Sequence, residues 1–329
     1  METKGIKDKM LVTAIVIAFN RRNYLVDALN SLLKINIPSD IDLEIVVVKN
    51  FSDSLIDQFI TENCIIEVRG DNTPVGDYVI LGLNASHGEW ILILDDDDLF
   101  TEDKLLKLHE YMSDEKITVI HNNQKFVNYK LEAIEPPSWN KRKFNSIVVS
   151  DFNLIFIRKF YKFHLWHNNS SYCIRREILY EFADKIKSFN MIDNIFPLIT
   201  TSSGKKFVAI PERLTIQRES KDSYKIKSNS LNGRLSEIKE FMEIQTTFCN
   251  ASTEALIKPF LISKLVEKVI KDGSNYNERL KILPEAFAIW LITRRGLYLF
   301  SLLILITSLF SMSLSSYVYF FTLKINEPR

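Results

Sequence analysis

WILILDDDD, residues Trp90 to Asp98, decides how this chain folds. Trp90 to Leu94 is an unbroken apolar run of strand length, the pattern of a β-strand buried on both faces. It runs straight into four carboxylates, Asp95, Asp96, Asp97 and Asp98. Two unit charges about 4 Å apart interact by about 4 kcal/mol at an effective dielectric of about 20, so four at the end of a core strand call for a neutraliser. A hard divalent cation, which prefers oxygen ligands, is the simplest one. In parallel α/β sheets the carboxyl ends of strands are also where ligands bind. The stretch points to metal or nucleotide binding at the mouth of a sheet. The alternative is an acidic start to the next helix, read at Glu102–Met112, with Asp98, Glu102 and Asp103 as its acids.

Outward from this stretch, strand and helix patterns alternate. Leu11–Phe19 and Leu43–Val48 read as β-branched, apolar strands, and Cys64–Val68 as a shorter third. Leu25, Ala28, Leu29, Leu32 and Leu33 follow helical spacing behind a cap at Asn20 or Asn23. Leu55, Ile56, Phe59 and Ile60 mark a second helix, and a third is expected from about Pro74 to Ser86. Ile117–His121 reads as another strand. Repeated β-α units of this length imply an α/β fold with a mostly parallel sheet and right-handed crossovers. Further on, Arg175–Ile186 reads as one helix, and Phe207–Ile210 with Arg213–Arg218 as a closing strand pair around Pro211. Residues 231–293 carry amphipathic helical spacing.

The 42 basic and 41 acidic residues leave a net charge of +1, so nothing marks a nucleic-acid partner. The hydrophobic share of 46% is enough for a full core. Cys64, Cys173 and Cys249 are odd in number and far apart, which suggests neither a disulfide framework nor a thiolate metal site. METKGIKDKM is a charged tail without the apolar stretch of a leader. From Gly296 to Leu323 there is no charge, and Leu297–Phe310 is the most apolar part. About 20 helical residues cross the ~30 Å hydrocarbon layer, so a span is expected here; a buried helix and a hairpin in the interface plane are the alternatives. Arg294 and Arg295 precede the run, which places the larger N-terminal part at the cytoplasmic face of the membrane. No oligomeric state follows from these features.

Four blocks in order resemble glycosyltransferase family 2 and its GT-A type nucleotide-diphospho-sugar transferase fold. They are IVIAFNR (Ile15–Arg21), LEIVVVKNFSD (Leu43–Asp53), GLNASHGEWILILDDDDLF (Gly82–Phe100), and then SSYCIRREIL, MIDN and FVAIPERLTIQR, between Ser170 and Arg218. The resemblance covers about residues 10–225. It leaves residues 1–9 as a tail, 226–295 as a helical region and 296–323 as the membrane segment. It implies a metal-dependent, inverting transfer of a sugar from a nucleotide-sugar donor to a glycan or lipid-linked acceptor, without processive addition. Asp95 and Asp97 match the family's D-x-D pair: both would face Mg²⁺ or Mn²⁺, and Asp95 and Asp96 the nucleotide sugar. Ala18, Asn20, Lys49 and Asn50 would line the nucleotide pocket, and Arg218 would approach the diphosphate. Asp193 matches the family's catalytic base, which takes the proton of the attacking sugar hydroxyl. Trp166 and His167 border the acceptor side.

Two departures stand out. Lys49 replaces the acid expected to accept from the nucleotide base, and a lysine cannot accept. Val79 and Ile80 replace the arginine and asparagine of the family's A-R-N-x-G segment. Two rival classes stay open at this point. One is a nucleotidyltransferase, disfavoured because AFNRRNY has no glycine-rich phosphate loop. The other is a non-catalytic homologue serving as a binding or partner subunit.

Overall fold

The computed structural model describes residues 9–150, 159, 160 and 162–219, and beyond them only 240, 243, 244, 247 and 248. The chain divides into two compact units, Met1–Lys227 and Ser228–Arg329. The amphipathic stretch falls on described residues at only those five positions, of which Ile244 and Phe248 are buried. The expected membrane segment at 296–323 lies outside the described residues. No helix among the described residues is long and apolar enough to cross a membrane.

The first unit is built on one sheet. Strands β1 (Met10–Ala18), β2 (Ile41–Lys49), β3 (Ile66–Arg69) and β4 (Trp90–Asp95) run parallel in the order β3-β2-β1-β4. Every residue from Trp90 to Leu94 has no exposure, as the apolar run predicts. Helix α1 (Leu25–Leu33), α2 (Ser54–Glu62) and α4 (Lys104–Met112) share one core with Val12, Ala14, Val16 and Ala18 of β1. Helix α3 (Val75–Ala85) lies against the opposite face: a Cβ on Gly82 would meet Ile15 Cγ2 at 2.5 Å. Strand residues alternate faces, so the layers follow directly from the period of two. Gly76 lets α3 approach a neighbouring backbone. A Cβ there would come within 1.9 Å of Ile186 O, and the Gly76 N–H donates to Phe189 O at 2.8 Å.

Helix α2 starts where expected, with the Asp53 carboxylate accepting from the N–H groups of Leu55 and Ile56. Helix α3 also starts as expected, after Pro74, whereas two starts differ: Tyr24 stands at the N-cap of α1 and Asp103 at that of α4, and neither side chain accepts from the first N–H groups of its helix.

The second half of the sheet departs further from the expectation. Tyr172–Arg175 is not the approach to a long helix. It is a strand, β8, paired antiparallel to both β4 and β6 (Ile117–Val127). Two short helices follow, α5 (Arg176–Glu181) and α6 (Ala183–Ile186), broken at Phe182. Between β6 and β8 come a short strand, β7 (Ile147–Val149), and a 3₁₀ turn at Asn169–Ser171; β5 (Leu99–Phe100) precedes them all. After a second 3₁₀ turn at Ile192–Asn194 come α7 (Phe196–Ser202) and one long strand, β9 (Lys206–Arg218), in place of a strand pair. Pro211 cannot donate to a ladder. Ile210 pairs with Asn122 and Arg213 with Asn123, so Pro211 and Glu212 bulge out and the strand continues.

Candidate active site

The register sets the site. Ile17 lies opposite Asp95, and Ala18 opposite Lys49, which itself pairs with Arg69. The carboxyl ends of β3, β2, β1 and β4 therefore finish at one level, and the residues that follow share the mouth of the sheet.

On the β1–β2 side three amides join. The Asn20 N–H donates to Asn50 Oδ1 at 2.8 Å, and Asn50 Nδ2 donates to Asn20 Oδ1 at 3.0 Å and Asn72 Oδ1 at 3.1 Å. Asn20 holds a left-handed φ of 56°, which asparagine tolerates. Ala18 is fully buried, so its methyl belongs to the core and only the strand end it forms reaches the site. Lys49 is also fully buried. Its ammonium donates to Phe51 O at 3.0 Å and pairs with Asp57 at 2.8 Å and Glu67 at 2.6 Å. Three acceptors use all three protons. The expectation that the Lys49 side chain lines a nucleotide pocket is corrected accordingly: it ties α2 and β3 to β2.

On the β4 side the four acids have different surroundings. Arg21 takes two of them. Its Nε donates to Asp96 Oδ2 at 3.2 Å, its Nη2 to Asp96 Oδ1, and its Nη1 to Asp97 Oδ2 at 2.6 Å. Asp98 accepts from Asn168 Nδ2 and Ser170 Oγ, each at 2.8 Å, and from the Arg218 N–H at 3.1 Å. Asp98 is therefore not a helix-start acid; it fastens the 168–170 turn and the end of β9 to the strand. Burial, then the charges of Asp97 and Asp95, push Asp98 up to about 7. Asp95 is pushed up to about 7 as well, by burial first and then by Asp97, and the charge of Asp193 adds to it. Among the described residues its carboxylate has only a long contact from Asn169 Nδ2, at 3.4–3.5 Å.

A buried polar layer supports this arrangement. Lys104 has no exposure and donates to Ser170 O at 2.7 Å and Thr215 Oγ1 at 3.0 Å, with its ammonium 3.6 Å from the centre of the Phe100 ring. Burial holds its pKa well below the usual lysine range. His121, pushed down to about 4 by burial, is neutral and donates from Nε2 to His167 O. Gln124 Nε2 lies within reach of the same carbonyl at 3.2 Å and of Ser171 Oγ at 2.8 Å.

Asp193 lies in the Ile192–Asn194 turn. Its backbone carbonyl accepts from the Tyr172 hydroxyl at 2.9 Å, and its Oδ1 accepts from Asn194 Nδ2 at 2.9 Å. Its effect on Asp95 places it in electrostatic reach of the acid cluster. Trp166 and His167 sit two or three residues before Asn169, in an aromatic group with Trp139 and His164. Trp139 stacks on His164 with ring centres 4.6 Å apart, and Trp166 lies 5.5 Å from His164. His167 Nε2 is 2.9 Å from Gln217 Oε1. Arg218 is 4% exposed, donates from Nη2 to Asp27 at 2.9 Å, and covers the Tyr24 ring; its Nε–H is buried without a partner among the described residues.

Sequence patterns did not single out Arg21, Asn72, Trp139, His164 or Asn169. A signal existed for Arg21: it is a basic residue just past a parallel strand whose neighbour ends in four acids. The aromatic partners come together only through the fold.

Among the described residues no three His, Cys, Asp or Glu side chains converge as a preformed cation cage. The residues present nevertheless suit a hard cation that brings its own ligands. Among the described residues Asp95 is an under-satisfied carboxylate, and the neighbouring Asn169 Oδ1 is a buried acceptor without a partner. Mg²⁺ in particular is commonly held by one or two carboxylates plus substrate phosphates.

The sequence profile of Glycosyl transferase family 2 matches residues 13–183. Among solved structures, S. aureus TarS 1–349 in complex with UDP-GlcNAc superposes with a TM-score of 0.53 at 15% identity, covering 90% of each chain. The mannosyltransferase PcManGT from Pyrobaculum calidifontis, in complex with GDP-Man and Mn²⁺, superposes with a TM-score of 0.51 at 14% identity, covering 96% of this chain and 88% of its own. No curated protein matches by sequence. At these identities the superpositions establish the fold, a GT-A type α/β sheet. The profile spans more than half of the chain, and the four acids, the end of β1 and the end of β2 all fall within it: the chain belongs to glycosyl transferase family 2 and is a glycosyltransferase.

Proposed function

We propose that this glycosyltransferase uses Mg²⁺ or Mn²⁺ and moves a sugar, with inversion, from a nucleotide-sugar donor to a glycan or lipid-linked acceptor. The observation that carries this reading is the position of Asp95. It ends β4 level with the Asn20–Asn50–Asn72 amides and within electrostatic reach of Asp193. Amide groups can meet either donors or acceptors on a nucleobase edge, so the loss of the acid at position 49 does not empty that side of the site. Asp95 and Asp97, with phosphate oxygens of the donor, would hold the cation, which would offset the charge growing on the departing diphosphate. Asp193 takes the proton of the acceptor hydroxyl as that oxygen bonds to the anomeric carbon. The bond from that carbon to the diphosphate breaks on the opposite side, so configuration inverts. Trp166 and His167, three and two residues before Asn169, border the acceptor's approach.

The deciding experiment is calorimetric titration of the full chain with UDP and GDP, with and without Mn²⁺, followed by transfer assays with the matching sugar nucleotides. The expected result is binding of one nucleotide that strengthens with Mn²⁺. Absence of any nucleoside diphosphate binding under both conditions would sink the reading.

We also propose that the uncharged segment from Gly296 to Leu323 seats the protein on the cytoplasmic face of a membrane, where a lipid-linked acceptor is held. Its support is the length and apolarity of the run. A chain ending at Arg295 is then expected in the soluble fraction, while the full chain requires detergent. Transfer to a soluble acceptor analogue survives the truncation and transfer to a lipid-linked one falls, because anchoring raises the local acceptor concentration. A full chain that is monodisperse without detergent would withdraw the membrane assignment.

A further inference from the structure

Arg21 is bonded to Asp97, one of the two carboxylates proposed to hold the cation. It directly follows Asn20, and its guanidinium fork spans two consecutive carboxylates. Nε and Nη2 donate to Asp96, whose side chain is 1% exposed, and Nη1 donates to Asp97 Oδ2 at 2.6 Å. Arg21 thus grips Asp96 by both oxygens and reaches Asp97 through Nη1. Asp95, on the other side of the cluster, receives nothing from Arg21 among the described contacts.

This asymmetry has a consequence for the proposed cation site, on which the inference rests. A divalent cation coming to Asp97 would face a fixed positive charge bonded to the same carboxylate. It must either tolerate that repulsion or part Asp97 from Nη1. The guanidinium is a rigid plane pinned to both oxygens of Asp96, so the Asp97 carboxylate is the group that turns, and Nη1 keeps its place as that bond opens. A diphosphate offers the freed N–H groups a new anion of matching shape, because guanidinium pairs with phosphate oxygens as readily as with carboxylates. We propose that Arg21 is an internal counter-ion that competes with the divalent cation for Asp97, so that the cation is admitted together with the nucleoside diphosphate rather than before it. Cation and nucleotide then bind with positive coupling, and by linkage each tightens the other to the same degree. The charge of Arg21 also favours the ionised form of Asp95, though its described bonds go to Asp96 and Asp97.

The test is titration of the full chain with Mn²⁺ alone, read by electron paramagnetic resonance of the free ion, in wild type, Arg21→Lys and Arg21→Gln. Thermal melting first establishes that each variant is folded. Arg21→Lys keeps a positive charge for the buried Asp96 but loses the fork that reaches both acids. Mn²⁺ alone is expected to bind about tenfold more tightly to at least one folded variant than to wild type, within the usual range of coupling between ligands. The gain in Mn²⁺ affinity on adding UDP or GDP is expected to be large in wild type and smaller in that variant. Equal Mn²⁺ binding by all three folded proteins, undetectable binding in all three included, overturns the proposal. The outcome is separable from the sugar-transfer reading. A protein that binds nucleotide and transfers sugar with Mn²⁺ affinity indifferent to position 21 loses only the role of Arg21. A protein in which the variants tighten Mn²⁺ but no nucleotide binds keeps that competition and loses the transferase reading.

Discussion

Asp193→Asn is expected to leave nucleotide-sugar binding intact and to lower single-turnover transfer by about 100-fold or more, the range typical of a lost general base. The substitution keeps the size of the side chain. Its carbonyl oxygen can still accept from Asn194 Nδ2, as Oδ1 does now at 2.9 Å. The turn is also held through the backbone, where Tyr172 donates to the carbonyl of residue 193. What disappears is the capacity to take a proton. The bland role for Asp193, an acid in the turn just before α7, predicts a different pattern: a small change in melting temperature and unchanged transfer. Quench-flow measurement of one turnover with saturating donor separates the two, and transfer at the wild-type rate would remove Asp193 from the mechanism.

The parallel half of the sheet was legible because both-sided burial leaves a strong mark. Val12–Ala18, Val46–Val48 and Trp90–Leu94 are apolar runs broken only by Thr13, and the structure buries all of them. The second half was not legible for the opposite reason. Tyr172–Arg175 is only four residues long and passes directly into α5, so its apolar residues also fit helical spacing. Only the sheet decides, by inserting the strand between β4 and β6. The acid cluster could be located but not apportioned. Sequence showed four carboxylates in a row. It did not show that Arg21 would claim Asp96 and Asp97, or that Asn168, Ser170 and the end of β9 would claim Asp98. Those partners lie about 70 to 120 residues away in the chain or on a different strand end, beyond the reach of any local pattern. Lys49 failed in the same way. Its acids, Asp57 and Glu67, come from α2 and β3, and a lysine expected at an open pocket is instead closed in by them.

Asp97→Ala is expected to lower nucleoside diphosphate affinity in the presence of Mn²⁺ by about 100-fold, to the level measured without the metal. This is about 3 kcal/mol, within the range for truncating one partner of a buried charge pair. The reason lies in how the four acids are shared. Asp98 has three donors on its carboxylate and Asp96 has the double grip of Arg21, so neither can turn to a cation without giving up bonds in buried surroundings. Asp97 accepts from Arg21 Nη1, outside the paired grip on Asp96, and Asp95 takes a long amide contact. Once Asp97 is gone, Asp95 alone offers a carboxylate, and one carboxylate with phosphate oxygens leaves a hard cation short of protein ligands. The fold is expected to tolerate the change, because Arg21 retains Asp96 as its partner and the 168–170 turn stays fastened through Asp98. Calorimetry with and without Mn²⁺ reads the effect directly. If Asp97→Ala bound the nucleotide in Mn²⁺ as tightly as wild type, the cation would have to be placed elsewhere, and Asp97 would be left as no more than a second anchor for Arg21.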